Sequence, residues 1–281
     1  MELERAHRIN IRSAPFTLYV RPQAVMTNQI DYTEEWRRLG YKKGMGSSSF
    51  IPPPDRDFVR AYHLTSSEHA VSDIERCRLK VARFSEVNDP FELLGLNCHD
   101  PKMRKLTIRF RESQNSRIGL LSFTTNWTNP LLWSHYAARH KGICLGFDLS
   151  RSTVQTVEYE DERLRAALPD DKDPDRIPKA IQDRLRRTKS RDWQYEQELR
   201  VFVDLTKATT ENGLYYWPFD ESLRLAEVIL GPRCDQKLSA IAALTAAKSP
   251  GAAVFKGRLA FRSFRVVLDG RTRPKIPRRV A

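Results

Sequence analysis

Residues 198–205 read Glu-Leu-Arg-Val-Phe-Val-Asp-Leu. Leu199, Val201, Val203 and Leu205 alternate with Glu198, Arg200, Phe202 and Asp204, the period-two pattern of a strand with one apolar face. Such a strand must lay that face on a core, so the chain has to supply a sheet and a layer to cover it. The opposite face is harder to place. If the strand runs back to residue 196, Glu196, Glu198 and Arg200 all point to one side and Phe202 continues it. That row is either a solvated ion-paired face, worth ~0–1 kcal/mol per pair, or a pocket wall. In a pocket, an arginine and a second carboxylate would tune the protonation of each glutamate, an arrangement suited to stabilising an oxocarbenium-like centre and holding a sugar hydroxyl.

The other elements follow from the same patterns. Residues 61–64, 118–123, 143–149, the stretch LAEVILGP and the stretch FRSFRVVLD read as strands. Thr65 followed by Glu68 predicts a capping box opening a helix with Ala70, Ile74 and Cys77 on one face. Asn129 and Pro130 predict a second helix start, with Leu132 and Tyr136 sharing a face and Lys141-Gly142 ending it. Helices are also expected over about 177–187 and 235–247. Strands and long helices do not alternate regularly, so the expectation is an α+β fold with a mixed, mostly antiparallel sheet core and flanking helices. No glycine-rich phosphate loop is present. A Gly/Ser/Pro-rich stretch at 44–57 divides an N-terminal extension, 1–55, from a main domain over 56–260. Residues 261–281 hold a last strand and a basic tail.

The chain has 281 residues, 40% hydrophobic and 30% charged, which is the composition of a soluble globular protein. No run approaches the ~18 apolar residues of a membrane helix, and the first residues carry no apolar signal core. Cys77, Cys98, Cys144 and Cys234 are widely spaced with no C-x-x-C pair, so neither structural zinc nor a disulfide framework is expected, and the compartment reads as reducing and cytoplasmic. The net charge of +13 attracts polyanions, and nucleic acid is the partner it fits, although charge alone is met equally by any basic soluble protein. Basic residues cluster at 184–191 and in the last twenty positions.

Single residues add little. His63, at the end of a strand and ahead of a capped helix, could bond a ligand hydroxyl, yet a lone histidine is more often half-buried structure. Thr65 is accounted for by capping. Trp133, His135 and Tyr136 lie on one short helix, where aromatics usually belong to the core. His135 and His140 are five apart, which does not suit a shared metal, and no metal site is expected.

YHLTSSEHAVSDI, LKVARFSEVNDPFE, LLSFTTNWTNPLLWSHYAARHKGICLGFD and WQYEQELRVF, in that order over roughly 60–235, resemble the bacterial family filed as domain of unknown function 2971. That name carries no activity. YHLT running into LKVARFSEVNDP is similar to the opening of DarT-type DNA ADP-ribosyltransferases. This second resemblance implies an ADP-ribosyltransferase-like fold with NAD as substrate, and a toxin or phage-defence setting. It makes His63 a contact to NAD and gives Glu198 the transfer chemistry, with Glu196 orienting the acceptor and Glu227 as rival carboxylate. Arg200, Thr65, Trp133, His135 and Tyr136 would complete the pocket. Two other readings stay open: a non-enzymatic nucleic-acid-binding module, and a metal-dependent nuclease using Asp89, Glu92, Glu196 and Glu198.

Overall fold

The alternating segment is a strand, and it lies inside a sheet of eleven. The computed structural model describes residues 56–166 and 173–272; the expected N-terminal extension and the end of the basic tail lie outside the described residues. In chain order the strands are β1 (Phe58–Thr65), β2 (Arg78–Arg83), β3 (Ile118–Thr124), β4 (Ile143–Ser150), β5 (Val154–Thr156), β6 (Glu158–Glu160), β7 (Thr188–Ser190), β8 (Glu198–Asp204), β9 (Thr209–Glu211), β10 (Leu214–Pro218), β11 (Leu223–Leu230), β12 (Ala253–Leu259) and β13 (Val266–Leu268). The α-helices are α1 (Ser67–Arg76), α2 (Pro101–Arg117), α3 (Pro130–Tyr136), α4 (Lys179–Arg187) and α5 (Leu238–Lys248). The main sheet runs β13-β12-β11-β4-β1-β3-β2-β10-β9, with β8 paired to β3 and β5 to β8. Its pairings are antiparallel except β11 with β12, and β6 and β7 form a separate parallel pair. The fold is α+β with a mostly antiparallel sheet, as the patterns predict.

Register fixes which side chains share a face. Leu199 and Val203 of β8 join Leu121, Phe123, Leu145 and Phe147 in one apolar cluster, covered by Ala70 and Ile74 of α1 and Ile241 of α5. The opposite face carries two further clusters. One gathers around Trp127, Trp133 and Phe255, the other around Phe84, Phe110 of α2 and Leu185 of α4. Glu198 and Arg200 project to this second face.

Several local expectations shift by a residue or more. The cap of α1 is Ser66, whose hydroxyl accepts from the His69 N–H at 3.2 Å, and not Thr65, which is the buried last residue of β1. Asn129 does cap α3, accepting from the Leu131 N–H at 3.0 Å, but the helix stops at Tyr136 because Ala138, Arg139 and His140 all adopt left-handed φ, at 45°, 56° and 70°. Helix α2 is missing from the sequence expectations; Asp100 caps it by accepting from the Lys102 N–H at 2.8 Å. Phe261 and Phe264 lie in the turn before β13 and not in the last strand.

Candidate active site

Glu196 is not on the strand. Residues 191–196 form a 3-10 turn, Gln197 takes a left-handed φ of 46°, and β8 begins at Glu198. The bend nevertheless returns the Glu196 carboxylate to the same place, because Lys189 lies between the two acids. Its ammonium donates to Glu196 Oε2 at 2.5 Å and to Glu198 Oε2 at 3.3 Å. The expected grouping of Glu196, Glu198 and Arg200 therefore forms, through a lysine instead of a continuous strand.

Arg200 is the hub of this group. Its Nε donates to Glu198 Oε1 at 2.9 Å and Nη2 to Glu198 Oε2 at 3.0 Å. Nη1 donates to Glu92 Oε2 at 2.9 Å and to the Arg186 carbonyl at 2.8 Å, and Nη2 also pairs with Glu92 Oε1. All five guanidinium donors are thus used, in a side chain only 1% exposed. Glu198 is equally committed. It takes those two bonds, the Lys189 contact and a hydroxyl donated by Ser122 at 2.7 Å. Burial alone would raise its carboxyl, but Arg200 and Lys189 outweigh that and hold it at about 2, so it is ionised at neutral pH. Burial pushes the Glu92 carboxyl up against the pull of Arg200. Burial opposes the charge on Lys189, yet Glu198 and Glu196 raise it overall.

The chain of contacts reaches the surface at its other end. Tyr136 donates its hydroxyl to Glu196 Oε1 and accepts from Asn88 Nδ2 at 2.7 Å. Burial and then Glu196 push this phenol up, so Tyr136 stays protonated. Tyr136 is half-buried and Asn88 is exposed. Around this end sit aromatic rings: His135 lies 6.1 Å from Tyr136 and 6.2 Å from Tyr195, Tyr195 lies 6.1 Å from Trp193, and Lys189 Nζ is 4.7 Å from the Trp193 ring. Three carboxylates face two cations, leaving surplus acceptor capacity, and it lies on Glu196, which takes only two bonds.

The remaining expected residues separate. Trp133 is fully buried, and its indole N–H donates to the Trp127 carbonyl at 2.5 Å, so it has no face to offer a ligand. Thr65 is likewise packed. His63 is on the wrong side of the sheet: Tyr62 pairs with Thr124 and Thr124 with Glu198, so Tyr62 shares a face with Glu198 and His63 takes the other. Its ring is edge-on to Phe123, 6.0 Å away. There its Nδ1–H donates to the Ser122 carbonyl at 3.0 Å, filling a gap in the ladder where β3 passes from β1 to β2. Burial lowers this imidazole below its usual range. His63 and Glu198 thus meet through the two ends of Ser122 and do not line one pocket.

Glu227 is separate as well. Glu227, Gly146, Tyr62, Thr124 and Glu198 form one row across β11, β4, β1, β3 and β8, which puts the two acids about 19 Å apart at the usual strand spacing. Glu227 is held by Arg60, which also donates to Asp148 at 2.6 Å, and its carboxyl is pushed up by burial.

Lys189, Ser122 and Asn88 were not expected in the site, and Glu92 was grouped with Glu196 and Glu198 only in the nuclease reading. Lys189 reads as part of a basic run, and Glu92 as a metal ligand. Glu92 instead pairs with Arg200, and Asp89 closes a turn by accepting from the Phe91 N–H at 2.9 Å. Among the described residues, no group of three or more His, Cys, Asp or Glu side chains could hold a metal ion. A surface cavity of about 440 Å³ is lined by Ala138, Arg139, Lys141 and Arg233 and by none of the carboxylates.

Comparison with known families matches residues 132–201 to the family described as Protein of unknown function (DUF2971). The match runs from α3 to β8 and takes in Tyr136, Lys189, Glu196, Glu198 and Arg200, so the resemblance read from the motifs holds over this span. No curated protein and no solved structure matches the chain.

Proposed function

We propose that the chain is an ADP-ribosyltransferase-like enzyme that takes NAD as substrate and modifies a nucleic acid or protein. One observation carries this reading: NDPFE, WSHY and the W-x-YE-x-E-x-R segment meet in a single chain of hydrogen bonds and ion pairs that leaves Glu196 with acceptor capacity to spare. Carboxylate oxygens held in place away from water are what a ribosyl cation requires as nicotinamide leaves. In that step the C1′–N bond breaks and its electron pair goes to nicotinamide. A nucleophile of the acceptor then bonds C1′ and loses its proton to solvent water.

The geometry favours Glu196 over Glu198 for contact with the reacting centre. Glu198 has its acceptor positions filled and acts as a positioning residue, setting Lys189 and through it Glu196. Tyr136, His135, Tyr195 and Trp193 would form the rim. The test is labelled NAD incubated with the full chain and with single-stranded nucleic acid or cell extract. Label transfer or nicotinamide release is expected, reduced about 100-fold or more in Glu196→Gln. An absence of both at millimolar NAD overturns the reading.

The saturation of Glu198 favours a second reading, in which the network only fixes the fold and the chain binds nucleic acid without catalysis. Salt-sensitive binding without NAD turnover would select it.

A further inference from the structure

We infer that the turn between β12 and β13 is a docking site for an unpaired nucleic-acid strand. Phe261 and Phe264 are 89% and 97% exposed there. Neither ring supports the fold, and a folded chain does not normally leave two phenylalanines open three positions apart. Three arginines interleave with them. The Arg258 guanidinium stacks 4.4 Å from the Phe261 ring, exposed Arg262 lies between the two phenylalanines in the chain, and Arg265 donates to Thr128 Oγ1 at 3.1 Å. No Asp or Glu occurs from 252 to 268.

Two backbone hydrogen bonds tie down the base of the turn. The Ala260 N–H donates to the Arg265 carbonyl at 2.9 Å and closes it, and the Val266 N–H donates to the Thr128 carbonyl at 2.9 Å, bracing β13 against the segment that opens α3. Rings presented on a fixed base, with guanidinium groups between them, match a strand whose bases stack while its phosphates find cations. A duplex keeps its bases stacked on one another and offers only phosphates. A lipid surface fits less well, because inserting either ring would carry Arg262 into hydrocarbon.

This inference stands apart from the transfer chemistry and holds whether or not NAD is turned over. The experiment is fluorescence anisotropy on the full chain with a labelled oligothymidylate, the same length of duplex DNA, and vesicles of phosphatidylcholine with phosphatidylserine. Wild type should bind the single strand, and Phe261→Ser/Phe264→Ser should weaken it about 10- to 100-fold while leaving duplex binding and the thermal melt unchanged. Arg262→Ala should lower the salt dependence of single-strand binding. Equal single-strand affinity in the double variant would overturn the inference. So would vesicle binding that the same variant abolishes, or a wild-type dimer that becomes a monomer in the variant. NAD turnover without nucleic acid, measured on these proteins, reports on the other reading alone.

Discussion

At the residue scale the carboxylates of the network respond to acid in opposite senses. Glu198 is depressed from an ordinary 4.5 to about 2. Its contribution is therefore complete above about 4.5 and is lost as pH falls toward 2, an amount on the order of 3 kcal/mol. Glu92, raised by burial, acts the other way, since its ionisation costs stability as pH rises. Subtraction isolates the first effect: the difference in urea stability between wild type and Glu198→Gln should be largest near neutral pH and shrink below pH 4. Arg200 is a harsher case. Arg200→Met strips five bonds, leaving Glu92 buried without its guanidinium and Glu198 with only Ser122 and Lys189, so a loss of about 3–5 kcal/mol is expected. Glu92→Gln in the Arg200→Met background should return part of it, because one stranded charge is removed; no recovery in that double variant would mean that Glu92 is not held by Arg200.

At the element scale the strongest constraint is the left-handed run after α3. Gly142 follows it, and a Cβ there would sit 2.1 Å from the Thr65 carbonyl oxygen and 2.9 Å from Ala137 backbone. Gly142→Ala must therefore push β1 from β4 and should cost several kcal/mol in chemical denaturation. Ala138→Gly, in contrast, relieves a φ of 45° and should stabilise by about 1 kcal/mol.

This is also the scale at which sequence and structure part. The strand at β8 was legible because Leu199, Val201 and Val203 alternate without a break. Its start was not, since nothing in Tyr-Glu-Gln-Glu announces that Gln197 turns left-handed. The site's acids could be named from spacing, whereas Lys189 could not, because a basic run looks solvated until the fold turns one member inward. Trp133 could be read as core or rim, and burial decided for core. His63 was misplaced because single-strand alternation does not say which neighbour it will face; that is set by the Tyr62 to Thr124 register. The fold class needed only the strand-rich, irregular order of elements.

At the scale of the whole molecule the sheet has a seam. β1 shares eight register pairs with β4 and β3 shares seven with β8, but β1 and β3 share only Tyr62 with Thr124. Apart from the apolar cluster that crosses it, the two halves of the sheet are joined there by one register pair and by the His63 bond to the Ser122 carbonyl. The Glu198 network hangs from Ser122 on one half, while Glu227 and Arg60 sit on the other. A cooperative unit joined so narrowly should open first at the join. His63→Ala leaves the Ser122 carbonyl without a donor, at a cost of about 1–3 kcal/mol, and hydrogen exchange should quicken in β1 and β3 while β4 and β11 keep their protection. Acid should mimic the substitution. The imidazole is lowered by burial, so the stability it contributes is whole above its ordinary value and drains as pH falls below it. The exchange difference between wild type and His63→Ala should accordingly narrow from pH 7 to pH 5. If instead exchange quickens equally in all four strands, the halves unfold as one body and the single register pair is no seam.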